Sequence, residues 1–175
     1  MTSGPARPVP GDPRGSDVAR DLTESELERW GREVGRAAVR HGVFVCLYGD
    51  LGAGKSTLAR AACRGAGVAG PVPSPTFTLV NQYVGVGGTS VQHADLYRIE
   101  ASDRLADMGW AGLVQADGPV FVEWAERADA YLPEDRWEIR LGFVADPTRR
   151  RVEYRSLGAT PALPAPGPAK EDVRW

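Results

Sequence analysis

Leu27, Trp30, Val34 and Ala38 recur three or four positions apart, the spacing of one apolar helical face. Thr23-Glu24-Ser25-Glu26 precedes them as a capping box, with Thr23 placed to accept the Glu26 amide, so a helix is expected over 23–40. His41-Gly42 ends it. Residues 43–48 form an unbroken apolar run, the pattern of a strand buried on both faces. A glycine-rich turn follows, then a helix over 56–64 that Gly65 and Gly67 terminate. Pro71, Pro73 and Pro75 force an extended connection.

Beyond it the period changes to that of strands. Residues 76–84 and 89–94 read as two strands joined by the hairpin-like turn Gly85-Val86-Gly87-Gly88. A short helix is expected over 102–108, capped by Ser102, then a buried strand over 119–123 and a helix over 124–131. Two last strands, 137–144 and 151–157, flank the turn Asp146-Pro147-Thr148. The order predicts a single α/β domain of P-loop NTPase type, with a mixed central sheet flanked by helices.

Proline sets the expected limits of that domain. Eight of the 14 prolines lie at the ends, Pro5, Pro8, Pro10 and Pro13 in one segment and Pro161, Pro164, Pro166 and Pro168 in the other. Neither segment has apolar periodicity, so residues 1–16 and 158–175 read as flexible tails around a folded unit over 17–157. No run approaches the roughly 20 apolar residues of a membrane-spanning helix, which excludes that class. The opening MTSGPARPVPGDPRG has no apolar core of a secretory signal, and Cys46 and Cys63 read as buried thiols; a cytoplasmic location is expected. The net charge of −2 offers no general attraction to nucleic acid.

Lysine is scarce in a way that locates chemistry. Lys and Arg total 21, yet only Lys55 and Lys170 are lysines. Lys55 stands in Gly49-Asp50-Leu51-Gly52-Ala53-Gly54-Lys55-Ser56, which matches G-x-x-x-x-G-K-[ST] between a predicted strand and a predicted helix. Asp50, Leu51, Gly52, Ala53, Gly54, Lys55, Ser56 and Thr57 are therefore the expected phosphate cradle, with backbone N–H groups facing phosphate oxygens. Lys55 would meet the β- and γ-phosphates of a nucleotide as a compact charge, and the Ser56 hydroxyl would ligate Mg²⁺.

Two acids end strands, where catalytic carboxylates sit in such folds. Asp95 follows Val91-Gln92-His93-Ala94, and Glu123 follows Val120-Phe121-Val122 in the manner of a Walker B element. Either could hold the metal. His93 could act as a base or merely fill a strand position; Trp124 could pack near the nucleotide or in the core. Arg149-Arg150-Arg151 could be a solvated face, reach the nucleotide or offer a small basic patch to nucleic acid.

The phosphate loop, together with Ser74-Pro75-Thr76-Phe77-Thr78-Leu79-Val80, His93-Ala94-Asp95-Leu96-Tyr97-Arg98 and Val122-Glu123-Trp124, resembles the bacterial tRNA threonylcarbamoyladenosine biosynthesis ATPase family TsaE, also called YjeE. The resemblance spans about residues 23–154. It implies a small Mg²⁺-dependent ATPase working with TsaB and TsaD family partners, which transfer a threonylcarbamoyl group to adenosine 37 of tRNAs reading codons that begin with A. The chain would meet tRNA indirectly, through that complex. By resemblance Glu123 goes to the metal and Asp95 to the attacking water, with Lys55 completing the catalytic set. Residues 74–78 become a switch near the nucleotide, with Thr76 in the site, and Thr23 and Ser25 approach the adenine. The family usually carries Thr in place of Ser56, which keeps the hydroxyl, and Pro in place of Ala125.

Two rival functions use the same loop. A small-molecule kinase would transfer phosphate to a metabolite, for which the residues after Glu123 supply little acceptor pocket or lid. A non-hydrolysing adaptor would use ATP only as a conformational ligand.

Overall fold

A single mixed sheet organises the chain. The computed structural model describes residues 18–100 and 103–167. Its elements in order are β1 (Val18–Thr23), α1 (Glu24–His41), β2 (Phe44–Tyr48), α2 (Lys55–Gly65), β3 (Val80–Val84) and β4 (Ser90–Asp95). After them come α3 (Asp103–Asp107), α4 (Trp110–Val114), β5 (Val120–Glu123), β6 (Arg136–Phe143) and β7 (Arg149–Leu157). Seven strands lie in the order β1-β7-β6-β2-β5-β4-β3. The inner four run parallel, and β1, β7 and β3 pair antiparallel at the edges.

Strand alternation divides the core in two. Val45 and Leu47 of β2 and Phe121 of β5 join α1 and α2 on one face. Phe44, Cys46 and Tyr48, with Val120 and Val122, pack against Leu105, Trp110 and Leu113 on the other. Both cysteines are free and buried, and burial pushes the Cys63 thiol up to about 12. No helix among the described residues is long and apolar enough to cross a membrane.

The capping box forms as expected: Thr23 Oγ1 accepts the Glu26 amide and Glu26 Oε2 accepts the Thr23 amide at 2.8 Å. Helix α1 buries Leu27, Trp30, Val34 and Ala38, and with them Gly31 and Gly35. The glycines decide how α1 meets α2. A Cβ on Gly35 would lie 1.9 Å from the Ala62 carbonyl oxygen, so the close crossing of the two helices requires its absence.

Four elements differ from the sequence expectation. The strand expected from residue 76 begins at Val80, because the Leu79 amide donates to Pro75 O and closes a turn, with Leu79 at φ 64°. Residues 125–131 form an irregular 3-10 segment kinked at Ala128 rather than an α-helix. Strand β1 and helix α4 were not anticipated. The expected N-cap at Ser102, like the tail over 1–16, lies outside the described residues.

The C-terminal boundary also shifts. Residues expected to begin a flexible tail pack on the first core, with Leu163 buried and its amide donating to Ser156 Oγ. Pro161 O accepts the Trp137 indole N–H and Pro164 O accepts that of Trp30, each at 2.7 Å. The strap therefore satisfies two buried donors that would otherwise be orphaned. Leu163→Ala is expected to lower the unfolding free energy by about 2 kcal/mol in urea denaturation. An unchanged midpoint would show that the strap adds nothing to the domain.

Candidate functional site

The phosphate loop leaves the end of β2 and enters α2. Gly49 (φ 135°) and Gly54 (φ 107°) hold backbone angles that a side chain would strain, and a Cβ on Gly49 would lie 2.3 Å from Leu141 O. Gly54 caps α2 with no side-chain hydrogen bond, and the first turn carries no acid. The opening amides of α2 thus keep their positive potential for an anion.

Lys55 is buried inside this loop. Its ammonium donates to Gly49 O and to Asp50 O (2.8 Å), and sits 3.7 Å from the centroid of the Trp124 ring. Burial pulls its pKa below the usual lysine value, against the opposing charges of Glu126, Glu123, Asp95 and Asp50. Phosphate oxygens would compete with the loop carbonyls for that ammonium.

Parallel register assembles the acids. Glu123 is paired with Leu47 of β2 on one side and with Asp95 of β4 on the other, so both carboxylates end their strands at the phosphate loop. Ser56 Oγ donates to Glu123 Oε2 at 2.6 Å. Asp95 Oδ2 accepts the Thr76 hydroxyl at 2.9 Å, and Oδ1 accepts the Tyr97 amide at 2.9 Å. Ser74 Oγ lies 2.9 Å from Thr76 Oγ1, so the 74–79 turn is tied to Asp95 by hydroxyls.

A cleft of about 720 Å³ opens beside the loop, between the start of α1 and the β6–β7 turn. Thr23, Ser25, Gly52, Gly54 and Thr57 line it from one side, Pro147, Thr148 and Arg150 from the other. Arg150 lies 4.9 Å from the centroid of the exposed Phe143 ring.

The expected residues therefore fall in two connected groups. Lys55, Ser56, Glu123, Asp95 and Thr76 cluster at the strand ends; Thr23, Ser25 and Thr57 lie along the cleft. Asp50, Leu51 and Gly52 are exposed on the loop, while Ala53 is buried and its amide closes a turn onto Asp50 O. Sequence reasoning undervalued four neighbours. His93 Nε2 lies 2.7 Å from Glu123 Oε1, Trp124 covers Lys55, and Thr148 and Arg150 form the far wall of the cleft. Their sequence signals were adjacency to Asp95 and Glu123 and the arginine run after Pro147.

A model of the family described as "Threonylcarbamoyl adenosine biosynthesis protein TsaE" matches residues 22–152. The chain belongs to the TsaE family. The tRNA threonylcarbamoyladenosine biosynthesis protein TsaE of Haemophilus influenzae is 38% identical over 104 residues, which covers 59% of this chain and 65% of that protein, just under two thirds. The Nostoc TsaE is 36% identical over 122 residues, 68% of this chain and 74% of the relative. The crystal structure of Bacillus subtilis YdiB aligns with a TM-score of 0.65 and 25% identity, over 82% of this chain and 88% of that one. The phosphate loop and both strand-end acids of this TsaE family chain lie within the matched span.

Thr76→Val removes the donor to Asp95 and is expected to loosen the 74–79 turn by about 1.5 kcal/mol, roughly tenfold in local opening. Hydrogen exchange at the Leu79 amide reads this directly. Exchange at the wild-type rate would mean that the turn holds without the Asp95 tie.

Proposed function

We propose that this TsaE family chain is a Mg²⁺-dependent ATPase that serves threonylcarbamoyl modification of adenosine 37 in tRNAs reading codons that begin with A. It would act in the cytoplasm with TsaB and TsaD family proteins, and meet tRNA through that complex. The observation that carries the reading is the Ser56–Glu123 hydrogen bond at the mouth of a loop whose amides and lysine suit a triphosphate.

The donor set suits Mg²⁺. This cation keeps several waters and takes one or two protein oxygens beside substrate phosphates. A serine hydroxyl and a carboxylate within 2.6 Å of each other supply that number. No larger group of His, Cys, Asp and Glu that could hold a metal occurs among the described residues, so the fit is to a phosphate-bound cation rather than to a protein cage. When bound, the cation would offset negative charge developing on the transferring phosphoryl group.

The chain's own groups divide the remaining work. The amides of residues 52–57 would orient the phosphates, and Lys55 would exchange its loop carbonyls for phosphate oxygens. Asp95, whose oxygens already hold Thr76 and the Tyr97 amide, would orient the attacking water and connect it to the 74–79 turn. Thr23, Ser25, Thr148 and Arg150 would flank the nucleoside in the cleft.

Lys55→Ala is expected to abolish Mg²⁺-dependent ATP binding and hydrolysis, measured by titration calorimetry and phosphate release. Wild-type affinity in that variant would overturn the nucleotide site. Capture of TsaB and TsaD family proteins on the wild-type chain, with and without ATP, checks the pathway; no association in either condition would remove the tRNA role and leave the ATPase standing.

A further inference from the structure

His93 is completely buried on β4, where its strand neighbours across the register are Phe121 and Asn81. An aliphatic side chain would fill such a place without polar cost, and the imidazole carries one. Its Nδ1 has no hydrogen-bond partner among the described residues. A buried polar atom left unpaired calls for a compensating role elsewhere on the same ring. The compensation is at the other nitrogen, 2.7 Å from Glu123 Oε1.

The two nitrogens settle where the proton lies. A proton on Nδ1 would be a buried donor facing no acceptor, whereas one on Nε2 points at a carboxylate oxygen. Glu123 is itself only 1% exposed, and its two oxygens are held from opposite partners, Oε1 by His93 and Oε2 by the Ser56 hydroxyl. The terminal torsion of a glutamate is broad and soft, so one hydrogen bond leaves the carboxylate plane free to swing. Two bonds fix it.

We propose that His93 is a positioning residue for Glu123: its Nε2–H holds Oε1 so that Oε2 remains aimed at Ser56 and at the cation those two oxygens would share. The inference rests on the reading of Ser56 and Glu123 as the Mg²⁺ pair. It adds a residue that touches neither nucleotide nor metal. Partners that orient a ligating side chain in this way are commonly worth about 10- to 100-fold in metal affinity.

The test compares His93→Leu, which fills the space without a donor, with His93→Gln, whose amide can donate to the same carboxylate. Binding of a fluorescent ATP analogue is titrated first in EDTA and then against Mg²⁺. His93→Leu is expected to keep the EDTA affinity and to need about 10- to 100-fold more Mg²⁺ for half-maximal enhancement, with His93→Gln recovering most of the loss. A wild-type Mg²⁺ requirement in folded His93→Leu would overturn the proposal.

A second readout uses the wild-type ring itself. The chain has two histidines, His41 and His93, so their ring nitrogens are resolved by ¹⁵N NMR. His93 is expected in the Nε2–H form, with a resonance that moves in Glu123→Gln while that of the exposed His41 stays. An Nδ1–H form, or a ring indifferent to Glu123→Gln, would overturn the positioning role. If wild type shows no Mg²⁺-dependent binding at all, the ATPase reading falls, and this spectrum still decides whether His93 holds Glu123.

Discussion

Parallel pairing of β5 between β2 and β4 is the constraint from which the site follows. It sets Glu123 beside the last residues of β2 and directly across from Asp95. The chain must then leave β2 at the same edge of the sheet, and it does so through a loop short enough that α2 begins at Lys55. Ser56, in the first turn of α2, donates to Glu123, and Gly31 and Gly35 let α1 pack closely against α2 on the same face of the sheet.

The electrostatics of this edge differ from those of the other buried acid. Glu138 is held by Arg136, Arg155 and the Tyr48 hydroxyl; burial pushes its pKa up, and the two arginines outweigh that and keep it low. Every oxygen there has its donor, and the network joins β2, β6 and β7 as structure. At the phosphate loop the account is incomplete. Lys55 turns back on its own loop's carbonyls. Charged groups buried with partial satisfaction are costly, and they gather where a ligand completes them.

Much of this was legible in the order of residues. The spacing from Gly49 to Ser56 has a local cause, since loop, lysine and hydroxyl must share one turn, and the apolar runs ending in Asp95 and Glu123 announce buried strands whose last residue reaches the edge. The capping box at Thr23 is local too. What stayed hidden depends on partners distant in sequence. Strand β1 has a mixed sequence and is held by backbone pairing to β7 and by the Asp21–Arg151 ion pair. The segment after Leu157 has the composition of a tail, yet its proline carbonyls are acceptors for two indoles more than 20 residues away. Composition reports which residues lack a core of their own, and is silent on whether they complete another. His93 reads as a strand residue until the register brings Glu123 to its Nε2.

The central claim is that the phosphate loop, Ser56 and Glu123 form one nucleotide–metal site. A crystal structure with a non-hydrolysable ATP analogue and Mg²⁺ tests it most directly. The account predicts the triphosphate over the amides of residues 52–57, the nucleoside between Thr23 and Thr148, and the cation at Ser56 Oγ on the side of Glu123. A triphosphate bound away from this loop, or a cation held apart from both Ser56 and Glu123, would contradict it.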